Sequence, residues 1–148
     1  NEMIEMCPVH HMNDPYVIGQ NDRMVSINSC LEIDLYGQVA SEAIGLEQFS
    51  GTGGQVDYLR GAKRSRDGRS ILAFTSTAKG GTVSRIVPVL PPGATVTSGR
   101  NEVDYIATEY GAVRLRGLTL RERALALVSI AHPDFRPGLM AAIEERFS

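Results

Sequence analysis

The segment Ser50-Gly51-Thr52-Gly53-Gly54-Gln55 places three glycines within four positions, directly ahead of a run from Val56 to Ala62 that is able to form a helix. Glycines let the backbone turn tightly and aim its N–H groups outward. A helix starting there adds the positive end of its dipole. Such a loop binds phosphate or stabilises a developing oxyanion, and the alternative is a plain turn between two elements. Lys79 precedes Gly80 and Gly81, and a lysine beside flexible backbone N–H groups suits a phosphate. No GxxxxGK[ST] pattern is present, so this is not a P-loop. Glu109, in Thr108-Glu109-Tyr110-Gly111, is a strand-end carboxylate, able to act in catalysis or to hold a loop.

Other polar groups divide between chemistry and structure. Arg60, Lys63, Arg64, Arg66 and Arg69 crowd one segment opposed only by Asp67. They read as a solvated helix and turn, or as a grip on a phosphorylated ligand. Glu32 and Asp34 share a strand face with Asn28 and read as solvent-facing. His132, just before Pro133, reads as a histidine at a helix C-terminus. Cys7 and Cys30 stand far apart with no CxxC pairing, as reduced thiols of a cytoplasmic protein do. Cys7-Pro8-Val9-His10-His11 has no second ligand pair at zinc spacing, so no metal is expected. No GxSxG pattern is present.

The elements that must position these residues alternate between strand and helix. Asn13-Asp14-Pro15 reads as a helix start with Tyr16 to Gln20 behind it. Residues 24–35 alternate, with Val25, Ile27, Leu31, Ile33 and Leu35 on one side, which predicts a single strand with that face buried. A helix is expected over 56–65, then a turn at 66–69. Strands follow over 70–77, 84–90, 94–98 and 103–108, with a glycine turn at 78–81. Thr119 and Glu122 form a capping-box signature. Leu120, Ala124, Leu127, Val128 and Ala131 then recur at helical spacing. Pro137 starts the last helix, with Leu139, Met140, Ile143 and Phe147 inward. The class is α/β, a mixed or parallel sheet flanked by helices.

Composition is that of an ordinary globular domain. The 148 residues are 43% hydrophobic and 22% charged, with a net charge of −2. That balance gives no general pull toward nucleic acid or a membrane surface, and no apolar run is long enough to span a bilayer.

Taken together, the stretches NDPYVIGQND (13–22), SINSCLEIDLYGQV (26–39), GTGGQVDYLRGA (51–62), STAKGGTVSRIVP (76–88), TEYGAVRLRG (108–117) and LRERALALVSIAHPDFRP (120–137) resemble the C-terminal domain of the acetyl-CoA hydrolase/transferase family. These are class I CoA-transferases, including 4-hydroxybutyrate and butyryl-CoA:acetate CoA-transferases. The resemblance implies a CoA-transferase (NagB/RpiA-like) domain over residues 1–148. It also implies a mechanism in which a glutamate attacks an acyl-CoA thioester and passes through an anhydride to a glutamyl-CoA thioester. By resemblance, the backbone N–H of Gly54 and the side-chain amide of Asn13 supply an oxyanion hole. Gly53, Gly54, Lys79 and Gly81 meet coenzyme A, and Glu109 positions the site. The family's nucleophilic glutamate lies near a His-x-Glu-Met pattern that this chain lacks. The implied partners are therefore acyl-CoA, a short-chain carboxylate, and the N-terminal half of the same enzyme in a homo-oligomer of complete chains. An acyl-CoA hydrolase and a non-catalytic CoA-binding module share these motifs.

Overall fold

The structure is a computed structural model that describes residues 3–147. Among the described residues the α-helices are α1 (Val9–Met12), α2 (Pro15–Gly19), α3 (Gln55–Arg64), α4 (Leu120–Ser129) and α5 (Arg136–Phe147). The strands are β1 (Val25–Asn28), β2 (Glu32–Asp34), β3 (Val39–Ala40), β4 (Ala43–Ile44), β5 (Glu47–Gln48), β6 (Arg69–Ala73), β7 (Thr77–Ala78), β8 (Val83–Ser84), β9 (Ile86–Val87), β10 (Tyr105–Thr108) and β11 (Gly111–Arg114). A mixed sheet runs β1-β6-β10-β11, parallel except for the last pair. A smaller mixed sheet runs β3-β2-β9, and β4-β5 and β7-β8 are hairpins. Strands and helices intermix in an α/β arrangement, as expected.

Helix ends follow their sequence signals. The Asp14 side chain accepts from Tyr16 N (2.8 Å), with Pro15 at the first helical position. Thr119 and Glu122 close a full capping box on α4. These caps satisfy backbone donors that a helix leaves open. Leu59 of α3, Leu127 of α4 and Ile143 of α5 join Leu72, Ile106, Ile33 and Ile86 of the two sheets in one core.

The four-stranded sheet has two unlike faces. Register places Asn28, Leu72, Ile106 and Val113 in one row, on the face that meets this core. The opposite face carries Val25 beside Arg69, then Ile27, Ile71, Tyr105 and Arg114 in a row, then Ala73, Ala107 and Ala112. None of those nine residues is buried, and Val25 and Ile27 are 50% and 67% exposed.

The single strand expected over 24–35 is corrected to two strands in different sheets. Arg85 explains the break: its guanidinium donates to the carbonyls of Cys30 and Leu31 (2.9 Å to the latter), where a continuous strand would bond a neighbour. Sidedness is corrected too. Ile33 and Leu35 are buried as expected, whereas Val25 and Ile27 are exposed and Ser26 is buried.

The other expected strands shorten or do not form. The stretch 70–77 gives β6 and then passes into the β7-β8 hairpin. Of 84–90, only the short β8 and β9 form, because the Ser84 hydroxyl donates to Ile86 O and accepts from Ile86 N, and Pro88 has no N–H to give. Residues 94–98 form no strand, only a bridge between Ser98 and Val39, while Thr97 turns its hydroxyl to Glu42.

Leu72 sits fully buried on β6 between two neighbouring strands. Leu72→Ala should cost about 2–5 kcal/mol through lost burial and a residual cavity, read as a lowered urea midpoint with an unchanged slope.

Candidate active site: an amide against a glycine helix start

The first site is built by the packing of α2 on α3. Gly54 and Gly61 are two helical turns apart and lie on one side of α3. A Cβ on Gly61 would collide with the Ile18 side chain, so only glycine lets α2 approach this closely. That approach brings Asn13, between α1 and α2, to the start of α3. A Cβ on Gly54 would lie 2.6 Å from Asn13 Nδ2 and 3.6 Å from Tyr58 Cδ2. Gly54 itself has an ordinary negative φ of −95°. A Cβ here would displace the Asn13 amide rather than strain the backbone.

This corner holds several free donors. No side chain caps α3, and the first intrahelical bond is Tyr58 N to Gly54 O (3.1 Å). The N–H groups of the first turn therefore point outward without partners inside the helix. The Asn13 amide makes no hydrogen bond with a described residue. A neutral amide and a helix start converge on one small volume, an arrangement suited to a carbonyl oxygen gaining negative charge.

The loop ahead of Gly54 is held from behind by a buried polar cluster. Glu42 O accepts from Phe49 N (2.7 Å) and Ser50 N (3.2 Å). The Glu42 carboxylate accepts from Thr97 Oγ1 (3.0 Å) and Gln48 Nε2 (3.4 Å). Gln55, the first residue of α3, donates from Nε2 to Ser98 Oγ (3.1 Å).

The second site is the β7-β8 hairpin. Lys79, Gly80 and Gly81 turn at its tip with φ of 49°, 67° and 93°. The left-handed conformation costs an L-residue such as Lys79 roughly 1–2 kcal/mol. The exposed Lys79 ammonium has no hydrogen bond or ion pair with a described residue.

Glu109 ties down the base of this hairpin. Its carboxylate accepts from Ser76 N (2.8 Å) and Ser76 Oγ (2.6 Å), one residue before β7. Partial desolvation raises its pKa, but the Ser76 hydroxyl and N–H, its own N–H and nearby His132 outweigh that and hold it below the ordinary glutamate value. Arg85 braces the other side. Its N–H donates to Ser76 O (2.9 Å), its Nη1 to Thr75 Oγ1 (3.2 Å), and its guanidinium lies over Phe74.

Several groups serve structure instead. Glu32 and Asp34 are buried, not solvent-facing. Asp34 accepts from Tyr36 N (3.0 Å), Gln38 N (2.9 Å) and Gln38 Nε2 (2.8 Å), closing the turn after β2. Burial pushes the Glu32 carboxyl up, partly offset by Arg85, and pushes the Cys30 thiol up to about 12. Much of the basic segment is spent at the surface: Arg60 pairs with Glu102 (3.3 Å), Arg66 with Asp22, Lys63 donates to Asn101 O (3.2 Å), and Arg64 lies over Tyr16. His132 follows α4, and its Nδ1 accepts from Asp134 N (3.3 Å) at the start of a short 3₁₀ turn.

The model of the acetyl-CoA hydrolase/transferase C-terminal domain matches residues 1–143. The chain belongs to this family. It is 58% identical over 147 residues to the 4-hydroxybutyrate coenzyme A transferase of Clostridium kluyveri, covering 99% of this chain and 34% of the relative. It is 56% identical over 142 residues to the succinyl-CoA:cyclohexane-1-carboxylate CoA transferase of Geobacter metallireducens, covering 96% of this chain and 32% of the relative. The crystal structure of 4-hydroxybutyrate CoA-transferase from Porphyromonas gingivalis superposes with a TM-score of 0.83 at 60% identity, over 99% of this chain and 33% of that one. The chain thus spans about a third of the length of these relatives. No helix among the described residues is long and apolar enough to cross a membrane.

Within this family domain, Asn13 and Gly54 meet, and Glu109 stands at the base of the Lys79 hairpin. The sequence reading missed Tyr58, Ser76, Arg85 and the Glu42–Thr97 pair. All act through partners distant in sequence and carry no local signature.

Because the folded pKa of Glu109 is lowered, its charged form adds stability above the ordinary carboxylate value. That contribution is lost as pH falls through the lowered value. Urea midpoints measured from pH 7 downward should therefore fall less steeply for Glu109→Gln than for the unaltered chain. Parallel curves would exclude a stabilising charge at Glu109.

Proposed function

We propose that this domain supplies the oxyanion hole and the coenzyme A contacts of an acyl-CoA:carboxylate CoA-transferase. The contact between the Asn13 amide and Gly54 at the start of α3 carries the reading. In this reading a glutamate from the portion of the enzyme preceding the domain attacks the thioester carbonyl. Its oxygen gains negative charge between the Gly54 N–H and Asn13 Nδ2. Neutral donors suit this place because they stabilise the oxyanion without forming an ion pair with the nucleophile. One such donor is worth about 3–4 kcal/mol in a water-poor site.

Glycine at position 54 leaves room for the thioester beside Asn13. Gly53 and Gly81 present backbone to coenzyme A, and the unpaired Lys79 ammonium meets one of its phosphates. Glu109 acts as a positioning residue: by holding Ser76 it fixes the base of the hairpin that carries Lys79. The acceptor is a short-chain carboxylate, and the complete chains assemble as homo-oligomers. Coenzyme A and its thioesters are substrates, and no step calls for a metal. The reaction is cytoplasmic.

The complete enzyme should exchange acyl groups between acetyl-CoA and labelled acetate. Release of free coenzyme A in place of exchange would assign the domain to a hydrolase, and neither activity would leave a binding module. Asn13→Ala should lower turnover about 10²–10³-fold, the effect of removing one oxyanion donor, with little change in the Michaelis constant for acyl-CoA. Lys79→Ala should do the reverse, raising that constant severalfold at nearly constant turnover. An unchanged Michaelis constant would remove Lys79 from the coenzyme A site.

A further inference from the structure

Parallel sheets in α/β proteins are covered on both faces. In this domain α3, α4 and α5 contribute to the core on one face of the β1-β6-β10-β11 sheet, while no residue on the other face is buried. The uncovered face has an apolar centre, where Ile27 lies beside Ile71 and Ala73 beside Ala107. Arg69 and Arg114 stand at its margin. An apolar centre with a charged rim is the anatomy of a packing interface rather than of a solvated surface.

The edge of the sheet continues this surface. The outer side of β1 pairs with no strand. Beside it lies a cavity of about 320 Å³ lined by Met24, Val25, Ser26, Ile27, Asn28 and Tyr58. Tyr58 is also the ring against Gly54, and its hydroxyl reaches Met12 O (3.5 Å), next to Asn13. The uncovered face, the free edge and the Asn13–Gly54 corner therefore form one continuous surface.

We infer that this face and the outer edge of β1 seat the portion of the polypeptide that precedes the domain in its relatives. Two observations select that occupant over a second copy of the domain. The matched relatives are about three times as long, and the matched family is a C-terminal domain. The surface also adjoins a corner whose reading requires a carboxylate from the preceding portion. The inference rests on that reading for the occupant alone, and its test measures proximity and burial, not turnover. Failure of the oxyanion assignment and failure of the docking assignment are thus separable.

The test uses the complete enzyme, prepared as a mixture of ¹⁴N and ¹⁵N chains. The photoreactive residue p-benzoylphenylalanine replaces Ile27, which is exposed enough within the domain to tolerate it. Irradiation should give crosslinked peptides joining position 27 to the preceding portion, with both peptides carrying the same isotope. Mixed-isotope pairs would show that another copy covers the face and would overturn the inference. Absence of any crosslink would overturn it as well. A gentler substitution, Ala107→Cys, provides a second reading. Maleimide should label it at least tenfold more slowly than Glu144→Cys, which lies on the exposed side of α5. Equal rates would show an open face and overturn the inference.

Discussion

The close approach of α2 to α3 is the contact on which the candidate active site depends. Ile18 rests where a side chain on Gly61 would otherwise stand, and Gly19 backs onto Arg64 in the same way. With the two helices this near, Asn13 has one place to go, which is the start of α3. A larger residue at position 61 would push α2 outward and carry the Asn13 amide away, although it touches neither Asn13 nor Gly54. The meeting of Asn13 with Gly54 is thus a consequence of backbone packing two helical turns away. This resembles the usual division of labour in enzymes, where rigid elements hold the groups that do chemistry to within fractions of an ångström.

Around that corner, charge is handled with restraint. Buried carboxylates are turned to structural use: Asp34 closes a turn, Asp104 takes Arg114 (2.9 Å) and Arg116 (3.7 Å), and Glu42 takes Thr97 and Gln48 behind the glycine loop. At the two candidate sites the Asn13 amide, the first-turn N–H groups of α3 and the Lys79 ammonium have no partner among the described residues, and the first turn of α3 also carries the carboxylate of Asp57. Open donors at both places suit an anionic or electron-rich ligand.

Local signals were legible in the sequence wherever a few neighbouring residues decide the outcome. Asp14-Pro15 and Thr119 with Glu122 marked helix starts that the structure reproduces. The run 24–35 was misread because alternation says which residues share a side, not which side the protein covers. Long-range partners decide that: Arg85 breaks the run at Cys30, and Gln38 makes Asp34 affordable in the interior. The strands expected over 84–90 and 94–98 failed for a related reason, since Ser84, Thr97 and Ser98 satisfy backbone and side-chain groups that a ladder would have used. Asn13 and Gly54 lie far apart in the chain, and no local pattern brings them together. Resemblance named them, and the geometry then brought them into contact.

The division of that misread run has a mechanical side. Residues 25–28 belong to the four-stranded sheet and residues 32–34 to the three-stranded one, with only a short link clamped by Arg85 between them. Neither sheet can slide or fray at this point without pulling on the other. The two sheets therefore form a single cooperative unit. Strain applied at the edge of one is transmitted through a few residues of backbone into the centre of the other.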